Sequence, residues 1–206
     1  NYASNVAVQK VFAANNGGQS LGSTPNDGLV YGDKMYVVVD GSNTVEVINK
    51  KTMQRIKQIK TTELLGAAEG KSPRHIIAGN GHIFFTTYGG YVDTVNFKLT
   101  AKYKVGSYPE GLAGYASSIV VANSDYAKGH GNISIINLGT GEVETRNVEG
   151  INNPQKVFIN NGNVYILDWV YYEGEYPNSV EKGESAIKYL AGNKATKVTD
   201  AYYASM

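Results

Sequence analysis

The chain has 206 residues, enough for one substantial core or two modest domains. Its 19 Lys and Arg against 18 Asp and Glu leave a net charge of +1, which gives no field to draw nucleic acid or an anionic membrane. With no cysteine it has no thiol nucleophile, disulfide or thiolate metal site, and it lacks the run of about 18 apolar residues that a membrane-spanning helix needs.

In chain order, residues 1–12 contain NVAVQKVF and read as the outer strand of a preceding blade. A unit then opens at Pro25 with PNDGLV as an inner strand. YGDK makes a turn, MYVVV a second strand, TVEVIN a third, and QRIKQIK a polar outer strand. TTELLGAAEG at 61–70 has a helical composition and inserts one or two helical turns before the next unit. Three further units open at Pro73 (PRHIIA), Pro109 (PEGLAG) and Pro154 (PQKVFI), each with the same strand order. An apolar strand residue stands eleven positions after each proline, at Tyr36, Phe84, Val120 and Tyr165.

A unit recurring every 36 to 48 residues cannot bury its apolar face without neighbours. Four antiparallel strands per unit, most polar at the outermost strand, predict an all-β fold, a β-propeller of four-stranded blades spanning 25–60, 73–107, 109–149 and 154–203. The whole chain, 1–206, is then one β-propeller domain. Four blades and one strand do not close a ring, so the expectation is that further residues or another chain complete it, the former being preferred.

In a propeller the connections between blades and those between second and third strands emerge on one face. That face receives the long segments 13–24, 61–72, 123–132 and 168–185, where binding residues are expected. The aromatic set is 16 Tyr, five Phe and one Trp, biased to the polar-tipped ring that suits a half-exposed binding surface. Trp169, Tyr171, Tyr172 and Tyr176 crowd one segment, and Tyr88, Tyr91 and Tyr126 project from the corresponding connections of neighbouring blades. Such rings stack on planar or sugar-like ligands or anchor a protein partner.

Nearer the axis, the residues after each proline should ring the channel mouth: Asn26 and Asp27, Arg74 and His75, Glu110, Gln155 and Lys156. Converging polar groups of both signs can orient a small polar ligand, and the planar Arg74 fork suits a carboxylate or phosphate. A mouth closed by Arg74 pairing with Glu110 would count against that reading. His75 and Glu110, from adjacent blades, form the one acid–base pair an enzyme could use. Three dispersed His without Cys predict no transition-metal site, and no cofactor is expected. Oxygen ligands for calcium are conceivable from Asp125 with Asn123, or from Asp168 with Glu173 and Glu175, but neither segment has an EF-hand pattern.

Through LGSTPNDGLVYGDKMYVVVDGSNTVEVINKKTMQRIKQI, SPRHIIA and YPEGLAG, the chain resembles the YncE-like β-propellers, specifically the surface-layer-type lipoproteins of Bacteroidetes. The resemblance implies a seven-bladed ring, export to the cell surface or periplasm, and an outer-membrane tether through a lipidated cysteine upstream of Asn1. Some relatives serve outer-membrane nutrient uptake, including cobalamin capture, but no motif carries a cobalamin assignment to these residues. Three functions therefore compete. The first is a non-catalytic propeller binding a small molecule or glycan on its long-loop face. The second is a cell-surface scaffold for an outer-membrane protein partner. The third is a lyase or hydrolase acting at the channel mouth.

Overall fold

A computed structural model describes residues 8–95 and 99–201, with the backbone alone for 91–95, 99–100 and Ala127. After a short helix α1 (Val11–Asn15), sheet one is β1 (Pro25–Tyr31), β2 (Lys34–Val39), β3 (Thr44–Asn49) and β4 (Arg55–Lys60). Helix α2 (Thr61–Leu65) leads to sheet two: β5 (Pro73–Gly79), β6 (His82–Thr87), β7 (Tyr91–Val95) and β8 (Leu99–Lys104). Sheet three is β9 (Pro109–Tyr115), β10 (Ser118–Asn123), β11 (Asn132–Asn137) and β12 (Val143–Arg146). Sheet four starts with β13 (Asn153–Asn160) and β14 (Asn163–Trp169). A separate hairpin, β15 (Tyr171–Glu173) and β16 (Val180–Lys182), then intervenes before β17 (Ala186–Ala191) and β18 (Lys194–Asp200) complete the sheet. Each sheet is an antiparallel meander, and the inner strands β1, β5, β9 and β13 are successive neighbours.

The proline-led repeat fixes which side chains meet. In every sheet the register slips just after the proline, a bulge that re-aims the next residues. Beyond it, the residue four after the proline pairs with the residue eleven after it: Leu29 with Tyr36, Ile77 with Phe84, Ala113 with Val120, Phe158 with Tyr165. In the first three sheets this pair faces the following sheet. Val38, Val45 and Val47 meet Ile76 and Phe85 at the first boundary, Phe84 meets Leu112 and Ile119 at the second, and Val120 meets Val157 and Ile166 at the third. Burying such side chains at about 1.5–3 kcal/mol each holds neighbouring sheets together.

The expected strand at 1–12 lies mostly outside the described residues, and its last two, Val11 and Phe12, are helical. The helical turn lets one side chain satisfy two strand groups. Asn16 donates to Met53 O at 2.8 Å and accepts from Arg55 N at 2.7 Å. Phe12 lies under the Arg55 guanidinium, which also donates to buried Glu46. Residues 61–65 form the short helix expected there. Thr61 Oγ1 donates to Gly70 O, and a Cβ on Gly70 would strike Thr61 O at 2.2 Å, so the insertion closes tightly on itself.

Candidate functional site

The register slip after each proline brings the residues that follow to the long-loop end of the inner strands, where three sheets converge. Arg74, from β5, donates Nε to Glu110 Oε2 of β9 at 2.9 Å and Nη1 to Asp40 Oδ2 at 2.6 Å. Asp40 follows β2 of sheet one. Asn26 donates to the Arg74 carbonyl at 2.6 Å, and its own side-chain oxygen lies 3.3 Å from Nη1. His75 Nδ1 stands 3.1 Å from Asp27 Oδ2, with Nε2 3.6 Å from Glu110 Oε2. The Tyr88 hydroxyl donates to the other Glu110 oxygen, and its ring lies 4.8 Å from the Arg74 guanidinium carbon.

These groups answer one another's charges. Burial disfavours the charged form of Arg74, but the Glu110 and Asp40 carboxylates outweigh it and raise its pKa. Tyr88 is held well above the usual phenol value by burial and by the charge of Glu110. Burial pushes Asp27 upward. The hydrogen bond and charge of His75 and the amides of Ile76 and Gly28 outweigh that, leaving its carboxyl below the usual range. Glu110 is almost wholly enclosed, with both oxygens engaged by Arg74 and Tyr88. Arg74 therefore has its Nε and Nη1 committed to the two carboxylates. His75 and Glu110 do meet, with Nε2 3.6 Å from Oε2, but both Glu110 oxygens are already bonded to Arg74 and Tyr88.

Outward from this cluster the aromatic rings form a stair. Tyr88 packs edge-on to Tyr108 with centroids 5.1 Å apart, and Tyr108 lies 5.3 Å from Tyr126, which is 64% exposed. Tyr171 belongs to a second group: its ring lies so close to Gly129 that a Cβ there would meet it at 2.5 Å. The hairpin β15–β16 is thus wedged against the long connection of sheet three. Beyond the wedge, Tyr172, Val180 and Tyr176 are exposed at 48%, 55% and 93%. Trp169 is half-buried at the end of β14, opposite Asn153.

The other expected residues have different surroundings. Gln155 bonds Asn153 within its own strand at 2.7 Å, and Lys156 stands half-buried where its Cα crowds Gly111. Tyr91 begins β7, and its side chain lies outside the described residues. Asp168 accepts Lys188 Nζ at 2.7 Å together with the amides of Asn152 and Asn153, so the calcium combination around it loses that carboxylate to the fold. Asn123 donates its amide to Asn132 and Ser134 and is wholly buried. Among the described residues no three His, Asp or Glu converge to hold a metal ion. Sequence reasoning missed Asp40 and Tyr108. Asp40 ends the MYVVVD run, and Tyr108 precedes Pro109. The only available signal was their place beside those strand ends.

Residues 2–168 match a protein-family model described as "Domain of unknown function (DUF5074)". A search of curated proteins gave no match. Among solved structures, "Kuenenia stuttgartiensis Hydrazine Synthase" aligns with a TM-score of 0.66 and 17% identity, over 85% of this chain and 54% of that one. The chain therefore spans about half the length of that structure. A protein of unknown function from Bacteroides caccae aligns at 0.59 and 15% identity, over 89% of this chain and 69% of that one. The RRP9 WD40 repeats align at 0.58 and 7% identity, covering 84% and 62%. Likeness at these identities carries the fold, a β-propeller.

Proposed function

Since the chain belongs to the DUF5074 family and folds as a β-propeller, we propose that it is a non-catalytic binding propeller whose long-loop face docks a protein, with hairpin β15–β16 as the anchor. The observation that carries this reading is the exposure of Tyr172, Tyr176 and Val180 on a hairpin whose base is pinned by Tyr171 against Gly129. Exposed aromatics on a preorganised element are typical anchors of protein interfaces, because little ordering entropy is lost on docking. The channel mouth argues the same way, since Arg74, Glu110, Tyr88 and Asp40 already satisfy one another.

One observation favours a second reading, a glycan stacked on the stair from Tyr88 through Tyr108 to exposed Tyr126. The proposal includes export to the cell surface and a role accessory to outer-membrane uptake. It is supported by the resemblance to surface-layer-type propellers carried by PNDGLV, SPRHIIA and YPEGLAG.

A photo-crosslinking amino acid at Tyr176 should give one discrete protein adduct in native cells, absent when the probe replaces Lys51 on the short-hairpin face. Tyr172→Ala should weaken that adduct. No adduct at Tyr176, together with oligosaccharide binding by the purified chain that Tyr126→Ala abolishes, would replace the protein reading by the glycan one.

A further inference from the structure

On the face opposite the long loops, a cavity of about 800 Å³ opens between sheets two and three. Its walls include Phe84, Leu112, Ile119 and Leu138, with Phe158 of sheet four also lining it. No Asp, Glu, Lys or Arg is among the described residues that line it. Small-molecule sites measure about 300–1,000 Å³ and are mostly apolar, with a few placed polar groups.

The repeat shows why the cavity sits at this boundary. The inner strand of each sheet presents the residue six after its proline to the next sheet, and that sheet answers with the residue five after its own. At the first boundary the pair is Tyr31 and Ala78, and Tyr31 reaches across so that its hydroxyl accepts from Gly81 N at 2.8 Å. At the third it is Tyr115 and Ile159, with Ile159 packed on the core there. At the second boundary both positions are glycine, Gly79 and Gly114.

Gly79 pairs with His82 and Gly114 with Ile119, so a Cβ on either would point into the cleft beside those residues. Neither glycine has a positive φ, and a Cβ built on either meets nothing within 4 Å. Backbone conformation and close packing therefore do not require glycine here. What the two glycines have in common is the open volume in front of them.

We propose that this cavity binds a neutral, hydrocarbon-rich small molecule carrying a hydroxyl group. The hydrocarbon lies on the apolar walls, since among the described lining residues an ionic ligand would find no counter-charge. His82 lines the cavity, and its Nδ1 lies 2.9 Å from the Asn80 carbonyl, an arrangement that puts the proton on Nδ1. In the neutral ring Nε2 is then the acceptor for the ligand hydroxyl. The site is on the opposite face from the proposed docking hairpin and does not rest on that reading.

The test titrates the purified chain with N-phenyl-1-naphthylamine, a neutral fluorophore that brightens in apolar sites, and then competes it with 2-naphthol or naphthalene. Saturable binding of one probe per chain is expected. Gly79→Tyr restores the plug of the first boundary, and Gly114→Leu fills the opposite wall. Each should keep a cooperative thermal transition and weaken probe binding at least about tenfold, whereas Tyr176→Ala should leave it unchanged. His82→Ala should weaken 2-naphthol about three- to tenfold without affecting naphthalene. Absence of saturable binding, or undiminished binding in either folded filling variant, overturns the proposal. Failure of both variants to fold overturns it as well, because the space would then not be open. Equal losses of 2-naphthol and naphthalene in His82→Ala remove the hydroxyl assignment.

Discussion

Arg74 Nε donates to Glu110 Oε2 at 2.9 Å across the boundary between sheets two and three, while Nη1 of the same guanidinium holds Asp40 of sheet one at 2.6 Å. One side chain thus ties three sheets together at the long-loop end. Removing it leaves Glu110 enclosed with its charge uncompensated. Arg74→Ala should cost about 3 kcal/mol in urea unfolding, and Arg74→Lys less, because a single ammonium cannot span both carboxylates. A cost below about 1 kcal/mol for Arg74→Ala would mean that solvent screens the pair as at an open surface.

Asp27 has a folded-state pKa below its ordinary value, so it stabilises the fold above that ordinary value, and the contribution is lost as pH falls through the folded pKa. Asp27→Asn should therefore cost about 1 kcal/mol at pH 6, through weakened bonds to His75 and the Ile76 amide. That difference should shrink toward zero as pH falls below the ordinary carboxylate value and on through the lower folded one. Denaturant titrations at several pH values would record it. A difference growing toward low pH would contradict the sign.

Lys188 and Asp168 form the most deeply buried ion pair of sheet four, with side chains 4% and 0% exposed, and Lys188 also donates to Gly150 O. Lys188→Ala should cost about 3–5 kcal/mol, since Asp168 keeps only its two amide donors. Lys197→Ala, which removes an exposed pair with Glu184 and Asp200, should leave the unfolding midpoint unchanged. Comparing the two midpoints separates enclosure from mere ion pairing.

Two glycines in the same chain should respond oppositely to alanine. A Cβ on Gly89 would lie 2.2 Å from Glu69 O, so Gly89→Ala must push the 61–72 insertion off sheet two and should cost more than about 2 kcal/mol. Gly114→Ala meets open space and should be neutral or stabilise by up to about 1 kcal/mol. Calorimetry of the two variants would settle the contrast, and equal losses would show that the Gly114 site is closed.

Much of the architecture was legible because it is periodic. The proline, the eleven-residue spacing and the alternation of apolar side chains name the strands and the face that each presents, from Leu29 and Tyr36 through to Phe158 and Tyr165. The outer strands β4, β12 and β18 are polar for the reason expected of edges. Periodicity misled at Val11 and Phe12, where NVAVQKVF alternates like a strand. There the Arg55 guanidinium and the paired bonds of Asn16 hold a helical turn instead.

The site was legible only as a neighbourhood. Arg74, His75, Glu110 and Asp27 were placed at one mouth by their offset from the prolines, but that offset is silent on charge compensation. Asp40 arrives from another connection, 34 residues away, and decides whether Arg74 is available. The segment 168–185 announced its tyrosines, yet the division between Tyr171 facing Gly129 and Tyr176 facing solvent depends on the tilt of hairpin β15–β16.

By itself, then, the sequence determined the repeat, its strands and the side of each strand that is apolar, because these follow from backbone geometry acting over a few neighbouring residues. Tertiary structure alone decided which groups meet across sheet boundaries. Arg74 is closed by Glu110, and Gly79 stands opposite Gly114, because packing sets the distance between positions 35 or more residues apart, a distance that local preference leaves undetermined.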